Sequence, residues 1–249
     1  MRRRAASVAV GLAAIGAGLA LALAADGQAP ADPALPPGAR PEVPGAARTL
    51  VPFGIETTAD GPRAWALGQS GGRTVVLQRA PRGGWSSTPL PVAGQPVGGT
   101  APQHAGELTA DGRGAVLLAD PGQPDQDAQL LVRAPGATFA AAPSAAAVLA
   151  PGERLVANAT RPEARALLAV IGGADAATLV APTDEDGVAS AVLRLDATGW
   201  HREAIAADGL GGPVHPVALA AAGPTRAWLL GTAGELGIAA LAHLSLIHI

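Results

Sequence analysis

The pentapeptide Gly68-Gln69-Ser70-Gly71-Gly72 has the Gly-x-Ser-x-Gly spacing of a nucleophile elbow. In such an elbow a strained turn between a strand and a helix lifts a serine hydroxyl toward a general base. Beyond the glycines the chain continues Arg-Thr-Val-Val-Leu-Gln, a run with strand character, so the helix that an elbow needs is missing. A catalytic order with His and then Asp before the serine fails too, because the first histidine is His104. The expectation is a Gly-rich hairpin turn.

Two acidic clusters, Asp120/Asp125/Asp127 and Asp184/Glu185/Asp186, could offer oxygens to calcium. Neither has the ligand spacing and closing Glu of an EF-hand loop, and both read as solvated loops between strands. His104, His201, His215 and His243 stand in four different contexts, with no pair at zinc-ligand spacing. No metal and no other cofactor is expected.

One pattern recurs three times. An arginine stands six residues before an aromatic: Arg79 before Trp85, Arg133 before Phe139, Arg194 before Trp200. Arginines so placed can line a channel and bind anions or glycans. The plainer reading is an exposed strand position whose stem covers the neighbouring ring. Arg79, Arg133, Arg194, Trp85 and Trp200 are therefore the candidate binding residues.

The elements that position them repeat. Glu56-Thr-Thr-Ala-Asp-Gly-Pro-Arg-Ala-Trp-Ala-Leu-Gly68 is echoed by Glu107-Leu-Thr-Ala-Asp-Gly-Arg-Gly-Ala-Val-Leu-Leu-Ala119, which sets Ala115 51 residues after Ala64. Arg161-Pro-Glu-Ala-Arg-Ala-Leu-Leu-Ala-Val-Ile-Gly-Gly173 places Ala166 another 51 on, and Arg226-Ala-Trp-Leu-Leu-Gly231 places Ala227 a further 61 on. Within each unit, short runs rich in Val, Leu and Trp lie between Gly, Pro, Asp and Ser. They read as buried strands. Three or four strands in about 50 residues is the rhythm of a β-propeller blade, which must stack on neighbours to bury its faces. The fold class is all-β: a partial propeller of about three and a half blades over residues 49–243, with repeats near 49–100, 101–155, 156–215 and 216–243. The alternative is a β-solenoid, whose periods are usually shorter.

Ahead of the repeats, Met1-Arg-Arg-Arg4 precedes the uncharged apolar run Ala5–Ala25, and Ala22-Leu23-Ala24 gives a small-x-small cleavage pattern. This is the plan of a signal peptide over residues 1–24, folded as an apolar helix. Its alternative is an uncleaved anchor formed by residues 5–25, which would be the protein's sole membrane contact. Residues 25–48 are a Pro/Ala-rich linker with too little apolar bulk to fold alone. Removal of Arg2, Arg3 and Arg4 would take the net charge from −3 to −6. With no basic stripe interleaved with aromatics, a nucleic-acid partner is not expected. With no cysteine, the chain makes no disulfide outside the cell.

The stretch Arg165-Ala-Leu-Leu-Ala-Val-Ile-Gly-Gly173 resembles the strand plus Gly-Gly of kelch propellers, and Leu195-Asp-Ala-Thr-Gly-Trp200 resembles the Asp-box of bacterial neuraminidase (BNR) repeats. The first likeness lacks the kelch Tyr. In the second, the Trp stands one residue closer to the Asp than an Asp-box has it, and Pro81 and Pro135 replace that Asp in the other units. The resemblance is to secreted bacterial propeller repeat proteins, and it implies a fold. The last six residues, Leu-Ser-Leu-Ile-His-Ile249, break the composition of the chain, with two of its seven isoleucines. They are similar to the translation of a transposase adapter end used in sequencing libraries, CTG-TCT-CTT-ATA-CAC-ATC. On that reading residues 244–249 are an adapter-derived tail and the repeats are truncated.

The function expected is an exported, non-catalytic binding or scaffold protein with a protein or glycan ligand outside the cytoplasm. One alternative is a fragment of a sialidase-like glycan-processing enzyme. Such enzymes use a Tyr nucleophile, and the chain has no Tyr. The other is a fragment with no function of its own.

Overall fold

Apolar runs too short for helices bury their side chains by pairing edge to edge, and the computed structural model of the chain shows that pairing throughout. It describes residues 50–70, 73–91, 103–119, 128–155, 167–205, 212–221, 223, 226–233 and 238–245. These form fifteen strands. Among the described residues there is no helix, and so none long and apolar enough to cross a membrane. The expected signal segment 1–24 and linker 25–48 lie outside the described residues.

Four antiparallel sheets follow one another along the chain, each with its strands in sequence order. The first holds β1 (Leu50–Thr58), β2 (Gly61–Ser70), β3 (Arg73–Arg79) and β4 (Trp85–Pro89). The second holds β5 (Gln103–Leu108), β6 (Gly114–Ala119), β7 (Gln129–Arg133) and β8 (Ala140–Ala141). The third holds β9 (Leu168–Ile171), β10 (Ala177–Val180), β11 (Ala191–Asp196) and β12 (Gly199–Ala204). The fourth has three strands, β13 (Val214–Ala221), β14 (Arg226–Ala233) and β15 (Ile238–Ser245). The all-β class and the three or four strands per unit are as expected. Leu244 and Ser245, assigned from sequence to the tail, pair with Ala227 and Arg226, and residues 246–249 lie outside the described residues.

The sheets meet through their first strands: β1 lies against β5, β5 against β9, and β9 against β13. An apolar cluster fills each junction. Trp65, Leu67 and Val76 pack on Leu108, Val116 and Leu131 between the first and second sheets. Ala115, Leu117 and Leu130 pack on Leu168, Val180 and Leu193 between the second and third. Ala169, Ile171 and Leu179 pack on Val214, Leu219 and Leu229 between the third and fourth. Each Leu or Val so enclosed stabilises the fold by about 1.5–3 kcal/mol relative to exposure, so these junctions are the core. Main-chain bonds add ties across two of them, from Thr57 N to the Ala110 carbonyl at 2.7 Å and from Ala189 N to the Val214 carbonyl at 2.9 Å. Gly54 is required where β1 crosses β5, because a Cβ there would run into the Cβ and main chain of Leu108.

The sequence echo and the strand order coincide in the first two units and part in the third. Ala64, Ala115 and Ala227 all lie in second strands, whereas the segment that aligns with them at Ala166 supplies β9, a first strand. Even between the first two units the ladders differ by one residue. Glu56 pairs with Arg63, but Glu107 pairs with Ala115, because the turn after Glu107 is one residue longer. A one-residue change of register turns every later side chain to the other face. Trp65 and Val116, aligned in the echo, therefore point toward each other from opposite sides of one junction.

Candidate functional site

Glu56 projects from β1 toward the second sheet, and three neighbours fix it there. The Trp65 indole NH donates to Glu56 Oε2 at 3.1 Å, and Arg133 Nη2 donates to Oε1 at 3.3 Å. The pair is deeply enclosed, with 4% of the Arg133 side chain and 7% of the Glu56 side chain exposed. Burying two charges is costly unless every polar atom is served. Arg133 meets that condition: Nε donates to the Ala137 carbonyl at 2.8 Å, Nη1 donates to the Gly112 carbonyl, and the guanidinium lies 4.4 Å from the centre of the Trp65 ring. Gly112 has φ +86°, and a Cβ at this position would strike the Glu56 carboxylate. Here the turn needs glycine both for its backbone and for the space.

The rings of Phe53, Trp65 and Phe139 close around this group, with centroids 6.5, 6.2 and 6.4 Å apart pairwise. Separations in this range favour the tilted and edge-on contacts seen. Above them a cleft of about 490 Å³ opens between the first sheet and the β7–β8 turn, a size suited to a small ligand. Its floor is Trp65, Glu56 and Arg133, and its wall carries Arg63, Gln78, Thr88 and Thr138. Arg63 Nε is enclosed and makes no hydrogen bond to the protein. The floor is thus internally satisfied, while the wall keeps a cation, an amide and hydroxyls to offer to a ligand.

Of the five candidates read from sequence, only Arg133 lines this cleft. Its expected place as an exposed strand residue covering Phe139 is corrected: it is buried, and its guanidinium covers Trp65 of the other sheet. Arg79 is exposed and stands opposite Trp85 in the β3–β4 ladder. Trp85 packs over Ala66, Val75 and Leu77 on the opposite face of the first sheet. Arg194 stands opposite His201 and meets Asp196 at 3.4 Å. Trp200 packs on the second junction and donates its indole NH to the Pro143 carbonyl at 3.0 Å. The shared six-residue spacing therefore does not create one shared environment. That spacing also misses Glu56, Trp65, Arg63 and Gly112, although the recurrence of Glu56 at Glu107 and of Gly61 at Gly112 is a usable signal for the first and last of them.

The other chemically suggestive residues serve local structure. The ladder joining β2 to β3 runs out to Ser70 and Arg73, which is a hairpin and not a strand-to-helix elbow. Asp184 Oδ1 accepts from Asp186 N at 3.0 Å and Val188 N at 2.8 Å, so this acid builds its own turn. Asp120, Asp125 and Asp127 lie outside the described residues, among which no group of three His, Asp or Glu could hold a metal ion. Asp196, Thr198 and His201 cluster at the β11–β12 turn, yet Thr198 Oγ1 and Asp196 Oδ1 both reach the same ring nitrogen, His201 Nε2, at 2.7 and 3.3 Å. A relay needs the two ring nitrogens to serve different partners.

Two carboxyls have shifted titration for opposite reasons. Glu107, at the position of Glu56 in the second unit, is pushed up to about 7 by burial, partly countered by a hydrogen bond from the Val170 main chain. Glu153 is pulled down to about 2, chiefly by hydrogen bonds from Arg202 and also by Ser190 and Ala150 N, against the cost of burial. Arg202 reaches it at 2.6 and 2.8 Å, tying the segment after β8 to the third sheet.

No protein-family model matches the chain, and no curated protein matches it. Fold and site together define a class: an all-β protein of stacked antiparallel meanders with a polar-walled cleft at its first junction.

Proposed function

We propose that the chain is an exported, non-catalytic binding or scaffold module whose sheets are successive blades of a β-propeller. The propeller reading is supported by four meanders packed in chain order with their first strands adjacent. It is favoured over a solenoid, whose coils would pair as parallel strands, whereas the ladders here are antiparallel and join neighbours in sequence. Export rests on the Arg-led apolar N-terminus.

The observation that carries the binding reading is the cleft. Its floor is locked by the Glu56–Arg133–Trp65 group, and its wall presents Arg63, Gln78, Thr88 and Thr138. A rigid floor lowers the entropy lost when a ligand docks, and the wall supplies orientation. The residues that suggested catalysis are occupied in turns and ion pairs, which fits a binder better than an enzyme. The test is a titration with solubilised cell-envelope glycans and proteins, read by tryptophan emission, since Trp65 lies in the cleft floor. A saturable change that is lost in Thr138→Phe, which fills the cleft, is expected. Binding undiminished by that substitution would place the site elsewhere.

A further inference from the structure

Each junction follows one rule: the leading face of a sheet packs on the trailing face of the next, with the two first strands side by side. The two ends of the stack keep the apolar residues that this rule would bury. On the leading face of the fourth sheet, β14 alternates strictly: Ala227, Leu229 and Ala233 are buried against the third sheet. Trp228 and Leu230 point the other way and are 38% and 36% exposed. Ala220 and Ala218 of β13 stand opposite them in the ladder and share their face. At the other end Ile55, the neighbour of Glu56 on the trailing side of β1, is 60% exposed. Continued by one step, the rule would set β13 beside a β1 and cover Leu230 and Ile55 together.

We propose that this step is taken between copies: the outer face of the fourth sheet packs against the outer side of β1 in a second chain, and the reverse contact closes a ring of eight sheets. The inference rests on the blade reading above. The interface continues a junction type that the chain builds three times within itself, so a sheet of its own kind is the occupant the geometry suits. Eight sheets is within the roughly four to eight blades of closed propellers, and a head-to-tail contact that closes after two copies gives a dimer rather than a fibre.

Light scattering of the full chain tests it. The expected mass is that of a dimer, halved by Leu230→Glu and equally by Ile55→Glu, with far-ultraviolet circular dichroism unchanged because both side chains are exposed in the single chain. The chain has no cysteine, so Ile55→Cys and Leu230→Cys can be introduced singly. Mixed, the two variants should form a disulfide-linked pair that neither forms alone. A monomeric parent chain, a dimer that survives either Glu substitution, or self-linking of Leu230→Cys alone would overturn the proposal. The blade reading is judged separately, by the distance between Val51 and His215 within one chain.

Discussion

Trp65 and Trp228 hold the same place in nearly the same phrase, Arg-Ala-Trp-Ala-Leu-Gly and Arg-Ala-Trp-Leu-Leu-Gly, and both point to the leading face of their sheet. Trp65 is 7% exposed and Trp228 38%. The difference is what stands in front of them. Trp65 meets Arg133 and Phe139 of the second sheet, and the phrase itself says nothing about that neighbour.

The buried pair behind Trp65 should show the cost of an unpartnered charge. Glu56→Gln and Arg133→Met should each destabilise by about 3–5 kcal/mol, because each leaves one charge enclosed without its partner. The double variant should lose much less than the sum of the two. Urea unfolding of the three variants checks this, and additive losses would contradict the coupling.

Glu107 should make the protein less stable toward neutral pH. Its folded pKa, about 7, lies above the ordinary 4.5, so the folded state holds the proton more tightly. The contribution is complete below about pH 4.5, declines as pH rises through 7, and amounts to roughly 3 kcal/mol over that span. In Glu107→Gln this part of the pH dependence should vanish from the thermal unfolding profile.

Glu153 has the opposite sign. Its pKa is lowered to about 2, so its stabilisation is present above about pH 4.5 and is lost as pH falls toward 2. Removing the bidentate partner with Arg202→Met should cost about 2 kcal/mol at pH 7, and the difference between variant and parent should shrink in acid. A constant difference between pH 7 and pH 2 would contradict the assignment.

The N-terminal segment should carry a fused reporter out of the cytoplasm. The arginines Arg2, Arg3 and Arg4 stay on the inner side and the apolar run Ala5–Ala25 enters the membrane. A reporter retained in the cytoplasm with that run intact would remove the localisation from the account.

Much of the architecture was legible because strand-length apolar runs between Gly, Pro and Asp leave the chain few other ways to bury them. Val75-Val76-Leu77 and Val116-Leu117-Leu118 are examples. Facing was not legible. A single extra turn residue after Glu107 reverses β6 relative to β2, and no periodicity within either strand reports it. The site was hidden for a related reason. Arg133 is buried because Glu56, 77 residues earlier, waits for it across a junction, whereas Arg79 in the same local pattern is exposed. Local spacing found the arginine positions; only the stacking of sheets separates the staple from the surface residues.

The central claim is that the sheets fan around a common axis as blades, and Val51 and His215 measure it. They occupy corresponding positions, each just before the proline at which its first strand shifts register, and both are exposed. Spin labels at Val51→Cys and His215→Cys, diluted with unlabelled chain, report the distance within one molecule. Three successive sheet spacings of about 10 Å in a straight stack would put the two strands ~30 Å apart. Blades around an axis bring them well inside that distance, which is the predicted result. A single population at or beyond ~30 Å would contradict the propeller.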